Sequence, residues 1–415
     1  METKSAQVDY EELSRRWLPL PQTVWSMTQE QPHPSGRRLA LASDIEGPLV
    51  LGDLVLEALA EAVRPAGSDP GKTPPYGALI YRASYDVFNQ MTGATDKHLL
   101  GRTHGTKPSL QEGADTILAL PWLLACGVDS ASLALRARRA MPSPGILALT
   151  QAMDGWGICL RGITTAPGSP YREALQDIGI AVGTRVSGSM FPLDEIHDAL
   201  IAADRWEVEM GAVKRFLSDA CDLIDTHVVQ TSTPGPKQPA LSVDGKASLM
   251  ERIVTHYRDD LGLSWMPGCT QGSGSLLGQL LTRCFVIGDR AKAALALAFG
   301  RSIKRQHPGC RLVAMGDGLN DAYMLRHAPV SFGINGAHAA CAAKIGVITR
   351  NMACMAPVLQ DLARGESDLD RIIGRANAQA RGEAFFHRGG MAVPAALLEQ
   401  HDAMKAHLRG SHVTY

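Results

Sequence analysis

No two of the eight cysteines, at positions 126, 159, 221, 269, 284, 310, 341 and 354, form a CxxC pair. Their wide spacing excludes the common zinc and thiol-redox motifs and fits the reduced thiols of a cytoplasmic protein. An excess of either charge is missing too: the formal net charge is −1, so no overall field attracts nucleic acid or an anionic membrane, and neither is expected as a partner. Long apolar runs are absent as well. The N-terminal stretch METKSAQVDYEELSRRW is polar and acidic, without the apolar centre of an export signal. The most apolar segment, TILALPWLLACGV, is too short and too interrupted to span a bilayer.

What is present describes an ordinary globular chain, with 415 residues, 45% hydrophobic and 20% charged content, and 41 glycines. That length exceeds a single core and implies large insertions or several domains. Strand-length apolar segments recur at RLALASD (38–44), GICLRGITT (157–165), CFVIGD (284–289), RLVAMGD (311–317), VSFGIN (330–335) and IGVITRN (345–351). Helical patterns such as SPYREALQDIG and RAKAALALAFGRSIK lie between some of them. Strands alternating with helices predict a doubly wound α/β fold with a mainly parallel sheet. The predicted core takes 36–52, 145–190 and 283–360. Residues 53–144 form an inserted helical subdomain, 191–282 a second, mainly helical insertion, and 361–415 a helical C-terminal extension with a frayed end.

Ligands of such sheets collect at the carboxyl ends of the strands, and chemistry-bearing residues cluster there. SDIEGPL places Asp44 and Glu46 at the end of the first strand, on one side of an extended backbone. GITTAPG ends another strand with Thr164 and Thr165, GDRAKAAL sets Lys292 near a helix start, and GDGLND carries Asp317 and Asp321. Taken singly each has a plain explanation: a turn or cap for an aspartate before glycine, a solvated helix face for a lysine, a strand-end hydroxyl for a threonine. Only the ordered set points to a nucleophile, an acid/base, a hydroxyl donor, a cation and a metal site.

This set resembles the haloacid dehalogenase-like (HAD) hydrolase superfamily, with GDGLND at 316–321 the best single match. The likeness continues through PVSFGINGAHAACAAKIGVIT, which resembles the last core strands of phosphoserine phosphatase-like members. Residues 40–52, the segment from GADTILALPWLL to MPSPG, GITTAPGSPYREAL and 284–350 also resemble a HAD-like family that includes a protein encoded with archaeal energy-converting hydrogenases. The resemblance implies a HAD-like Rossmannoid core with residues 53–144 as a helical cap.

It further implies a phosphoric monoester hydrolase that acts on a small phosphorylated metabolite through an aspartyl-phosphate. Asp44 would be the nucleophile and Glu46 the acid/base. Thr164 or Thr165, Lys292 and Gly47 would bind the phosphate, Thr164 being favoured because it directly follows the apolar run. Asp44, Asp317 and the Glu46 carbonyl would hold Mg²⁺, which prefers oxygen ligands, and Asp321 would bind it directly or orient a metal-bound water or Lys292. Arg82, Tyr85 and Lys97 would be within the cap's reach of a substrate. The chain departs from the usual pattern at Glu46, where aspartate is commoner, and at Pro48, which removes a backbone N–H just past the nucleophile. The alternative is a non-catalytic HAD-like subunit or assembly factor that binds a ligand or partner in the same pocket.

Three further features have plain readings. GSGS at 272–275 is a loop before a helix, the basic run RARRAM a solvated helix face, and His401, His407 and His412 a tail cluster whose spacing fits no one-face metal site.

Overall fold

The computed structural model describes residues 36, 38–64, 73–92, 113, 115–180, 182, 185–230, 239–263, 266 and 274–410. In chain order the strands are β1 (Leu39–Ser43), β2 (Val50–Leu51), β3 (Met141–Pro142), β4 (Ile158–Pro167), β5 (Val186–Ser189), β6 (Val228–Gln230), β7 (Pro239–Leu241), β8 (Arg311–Gly316), β9 (Val330–Ile334), β10 (Ile345–Thr349) and β11 (Ala384–Arg388). Seven of them form one sheet in the order β11-β10-β9-β8-β1-β4-β5. Only β11 runs antiparallel to its neighbour, so the α/β class and the mainly parallel sheet are as the sequence predicts.

Burial on both faces explains why these strands read as apolar runs. Along β1, Leu39 and Leu41 enter one core and Ala40 and Ala42 another, the two-residue alternation of a pleated strand. On the first face the strands pack against Ile146 and Leu149, Tyr171 and Leu175, and Val358 and Leu359. On the second they pack against Phe299 and Ile303 of the helix Asp289–Gln306.

The interval 53–144 leaves and returns at one point. Val50 pairs with Pro142 and Leu51 with Met141, so β2 and β3 close its neck. Its helices share a third core with the interval 191–282, in which Trp122 stacks on Phe216 at a centroid distance of 5.5 Å. The two intervals therefore pack around one shared core as a single helical body.

Two expectations are corrected. CFVIGD is not a strand: its backbone meets the end of β5 through Met190 N to Phe285 O (2.8 Å) and Ile287 N to Ser189 Oγ (2.9 Å), without a ladder. The extension after residue 360 is not wholly helical either, since β11 adds to the sheet beside β10 and the core runs past its predicted limit. AFFHR lies at the edge of the sheet, with Phe386 and His387 buried and Phe385 exposed. No single helix among the described residues is long and apolar enough to cross a membrane.

Candidate functional site

Parallel pairing of β1 with β8 and β4 sets their carboxyl ends level, with Ser43 opposite both Met315 and Gly162. Asp44 follows immediately, its N–H donating to Met315 O at 2.8 Å. The turn after it closes through the N–H groups of Gly47, Leu49 and Val50. Position 48 is asked for no donor, which is why Pro48 fits there. Gly47 has φ +111°, and a Cβ on it would meet the Asp317 carboxylate at 2.4 Å, so only glycine lets this turn approach Asp317 so closely.

Asp44, Asp317 and Asp321 are buried, with one carboxylate oxygen of each within 4.8 Å of the others, close enough to bind a metal ion. Lys292 stands among them, fully buried, with Nζ 2.9 Å from Asp44 Oδ1 and 2.7 Å from Asp321 Oδ1. Burial alone would drive the lysine toward neutrality, but Asp321 and Asp44 hold it charged. Burial, together with the Asp321 charge, raises Asp44 well above the ordinary carboxylate range. Asp321 spends its other oxygen on the N–H groups of Asp317 and Gly318, both at 3.0 Å, and so fixes the loop that carries Asp317.

The all-oxygen carboxylate set fits a hard divalent cation. Asp44 and Asp317 would hold it, with Asp321 bearing on the site through Lys292 and the loop backbone.

Glu46 Oε1 accepts from Leu54 N and from the Tyr171 hydroxyl, each at 2.8 Å. Burial and the nearby Asp53 carboxylate push its carboxyl up to about 8. The two threonines separate. Thr164 Oγ1 accepts from Ala166 N at 3.0 Å and is turned to its own backbone, whereas Thr165 lines the cavity and accepts from Asn320 Nδ2 at 2.7 Å. Of the two hydroxyls expected at this strand end, it is Thr165, not the favoured Thr164, that faces the cavity. A register shift between β4 and β5 over Ile163–Pro167 breaks the alternation that would otherwise predict which hydroxyl points inward. Gly47 likewise does not line the cavity. Its Cα packs on Asp317 instead.

Asp44, Glu46, Thr165, Asp317 and Asn320 open into a cavity of about 350 Å³ at the strand ends, whereas Lys292 and Asp321 are buried behind it and do not line it. The helical body walls it from the other side with Val55, Tyr81, Tyr85, Asp115 and Thr116. Of the residues expected within a cap's reach, Tyr85 lines this wall, Arg82 does not, and Lys97 lies outside the described residues. Asp115 is pushed up to about 7 by burial and by Asp53.

Sequence reasoning missed the third wall entirely. The helix Ala395–Arg409 ends beside the acids, where Arg409 Nη2 donates to Asp317 Oδ2 at 2.7 Å and to Glu46 O at 3.3 Å. Lys405 Nζ lies 3.0 Å from the same Oδ2 and donates to Asp317 O at 3.1 Å. Burial would raise Asp317, but Lys405 and Arg409 outweigh it and hold the carboxyl below its ordinary value. The supposed frayed end is thus part of the site, and nothing in the local pattern of HDAMKAHLRG signals it.

The remaining motifs have structural roles. Ser275 caps the helix Leu276–Arg283, while residues 272 and 273 of GSGS lie outside the described residues. Arg136 and Arg138 of the basic run pair with Glu61 and Glu173. His401 is buried against His387, Nε2 to Nε2 at 2.8 Å, and His412 lies outside the described residues.

No family model and no curated protein matches the chain. Among solved structures it is similar to gene product AF1437 from Archaeoglobus fulgidus, with a TM-score of 0.63 and 17% identity over 90% of this chain and 97% of that one. At that identity the likeness speaks for the fold alone.

Proposed function

We propose that the protein is a Mg²⁺-dependent phosphatase of a small phosphorylated metabolite, built on a HAD-like core, with the helical body over the strand ends as its cap. The observation that carries this is Lys292 bridging Asp44 and Asp321 beside Asp317, at the carboxyl edge of a parallel sheet. A phosphate monoester resists hydrolysis because its anionic oxygens repel a nucleophile. A site must therefore neutralise charge and hold the attacking atom in line.

In the proposed reaction an Asp44 carboxylate oxygen attacks phosphorus, the bond from phosphorus to the ester oxygen breaks, and Glu46 gives its proton to the departing alkoxide. A carboxyl that keeps its proton up to about pH 8 suits that step. Water then attacks the aspartyl-phosphate, Glu46 takes the water's proton, and phosphate leaves with Asp44 restored. Mg²⁺ on Asp44 and Asp317 would supply charge neutralisation to the phosphoryl oxygens. Lys292 limits repulsion among the acids, and the Thr165 hydroxyl, which accepts from Asn320, would donate to a phosphoryl oxygen. A cavity of about 350 Å³ under a wall of side chains suits a metabolite better than a polymer.

A phosphate-release screen with Mg²⁺ over a panel of phosphomonoesters tests this, with Asp44→Asn as the paired variant. Loss of activity by several orders of magnitude in the variant is expected, because the covalent route itself is gone. Equal release by both proteins would sink the assignment. The hold of Arg409 and Lys405 on Asp317 favours the second reading, a non-catalytic HAD-like subunit that binds a ligand or partner in this pocket. Wild-type protein inert on every monoester yet binding phosphate would support it.

A further inference from the structure

We infer that Lys405 and Arg409 are substrate-anion ligands that Asp317 holds in reserve until a divalent cation takes its carboxylate. The inference rests on the phosphatase reading for the identity of the anion, a phosphoryl dianion, but its geometry stands on the C-terminal helix. Both cations converge on one oxygen: Arg409 Nη2 at 2.7 Å and Lys405 Nζ at 3.0 Å from Asp317 Oδ2. Arg409 also occupies the Glu46 carbonyl at 3.3 Å. A dication on either oxygen of the Asp317 carboxylate would stand beside both cations, and like charges at that range repel.

Without metal, each acid of the cluster has a cation against it: Lys292 on Asp44 and Asp321, and Lys405 with Arg409 on Asp317. A dication entering adds two positive charges to these groups, which is the charge of one phosphoryl dianion. Without the C-terminal pair, the metal-loaded site would have two fewer positive charges to set against that dianion. The pair therefore serves both states, balancing the acids before metal arrives and the phosphoryl group afterwards.

The helix is built for such an exchange of partners. Its middle is anchored, with Asp402 Oδ1 accepting from Ala337 N at 3.0 Å and His401 packed on His387 at 2.8 Å. Lys405 and Arg409 lie one and two turns further on, and their long stems move the charged ends without moving the backbone. Arg409 carries a planar fork suited to two phosphoryl oxygens at once.

Two calorimetric titrations on the full chain test this, Mg²⁺ alone and then inorganic phosphate at saturating Mg²⁺, with wild type, Arg409→Gln and Lys405→Gln. The expected result is a pair of opposite changes: each variant binds Mg²⁺ more tightly, on the order of tenfold, and phosphate more weakly by roughly as much. A merely structural role would weaken both. The inference is overturned if either variant that folds binds Mg²⁺ no tighter than wild type, or binds phosphate as well. Neither titration needs turnover, so a wild type that shows the opposed changes yet cleaves no monoester would sink the phosphatase reading and leave this pair assigned. Variants unchanged in both titrations beside an inactive Asp44→Asn would do the reverse.

Discussion

Lys292 Nζ lies 2.9 Å from Asp44 Oδ1, both groups withdrawn from solvent. The ammonium reaches the end of β1 from the first turns of the helix Asp289–Gln306, which packs across one face of the sheet. It makes an otherwise repulsive acid cluster tolerable.

Removing that cation should be costly. Lys292→Met leaves Asp44 and Asp321 buried without their partner, and breaking a buried pair in this way costs about 3–5 kcal/mol. Urea unfolding should show the loss. Mg²⁺ should raise the melting temperature of the variant more than that of wild type, since the ion replaces the missing charge. Unchanged stability would mean that the pairs are not held in solution.

Glu46 gives a pH signature with a definite sign. Its carboxyl releases its proton near 4.5 when unfolded and near 8 when folded, so the folded state holds the extra proton between those values. Its contribution to stability is full below pH 4.5 and is lost as pH rises through 8. Glu46→Gln keeps a neutral group throughout, so its urea midpoint should fall less than that of wild type across this window. Parallel curves would rule out the raised value.

His401 acts in the opposite direction. Burial and the neighbouring His387 push it down from 6.5 to about 4, so the folded state disfavours the proton that the unfolded chain accepts. Its contribution is present above pH 6.5 and is lost as pH falls through 4. Replacement by glutamine should flatten the acid side of the stability profile, and with it the retention of Lys405 and Arg409 at the site, followed by hydrogen exchange in the last helix.

The helical body should be one cooperative unit. Trp122 is fully buried and stacks on Phe216, which belongs to the other interval. Trp122→Ala should cost about 3–5 kcal/mol in chemical denaturation. Loss of protection on amide exchange should then appear in both intervals together. Loss confined to residues near Trp122 would separate them.

Much of the sheet is legible in the sequence because strands buried on both faces leave continuous apolar runs, and the acids that end β1 and β8 stand out against them. Thr165 over Thr164 is not legible, because an irregular register in β4 decides which hydroxyl turns inward. The segment CFVIGD is as apolar as a strand but finds no ladder partner. Lys405 and Arg409 are invisible for a different reason. An exposed-looking polar helix end carries no local mark of the site it reaches, and its contact with Glu46 spans 363 positions of chain.

The most direct test is to trap the covalent step. Wild-type protein incubated with Mg²⁺ and acetyl phosphate, quenched and reduced with borohydride, should yield homoserine at position 44 by peptide mass spectrometry. An aspartyl-phosphate is reduced in this way and a free carboxylate is not. Intact aspartate at position 44 in protein that is releasing phosphate would contradict the nucleophile assignment.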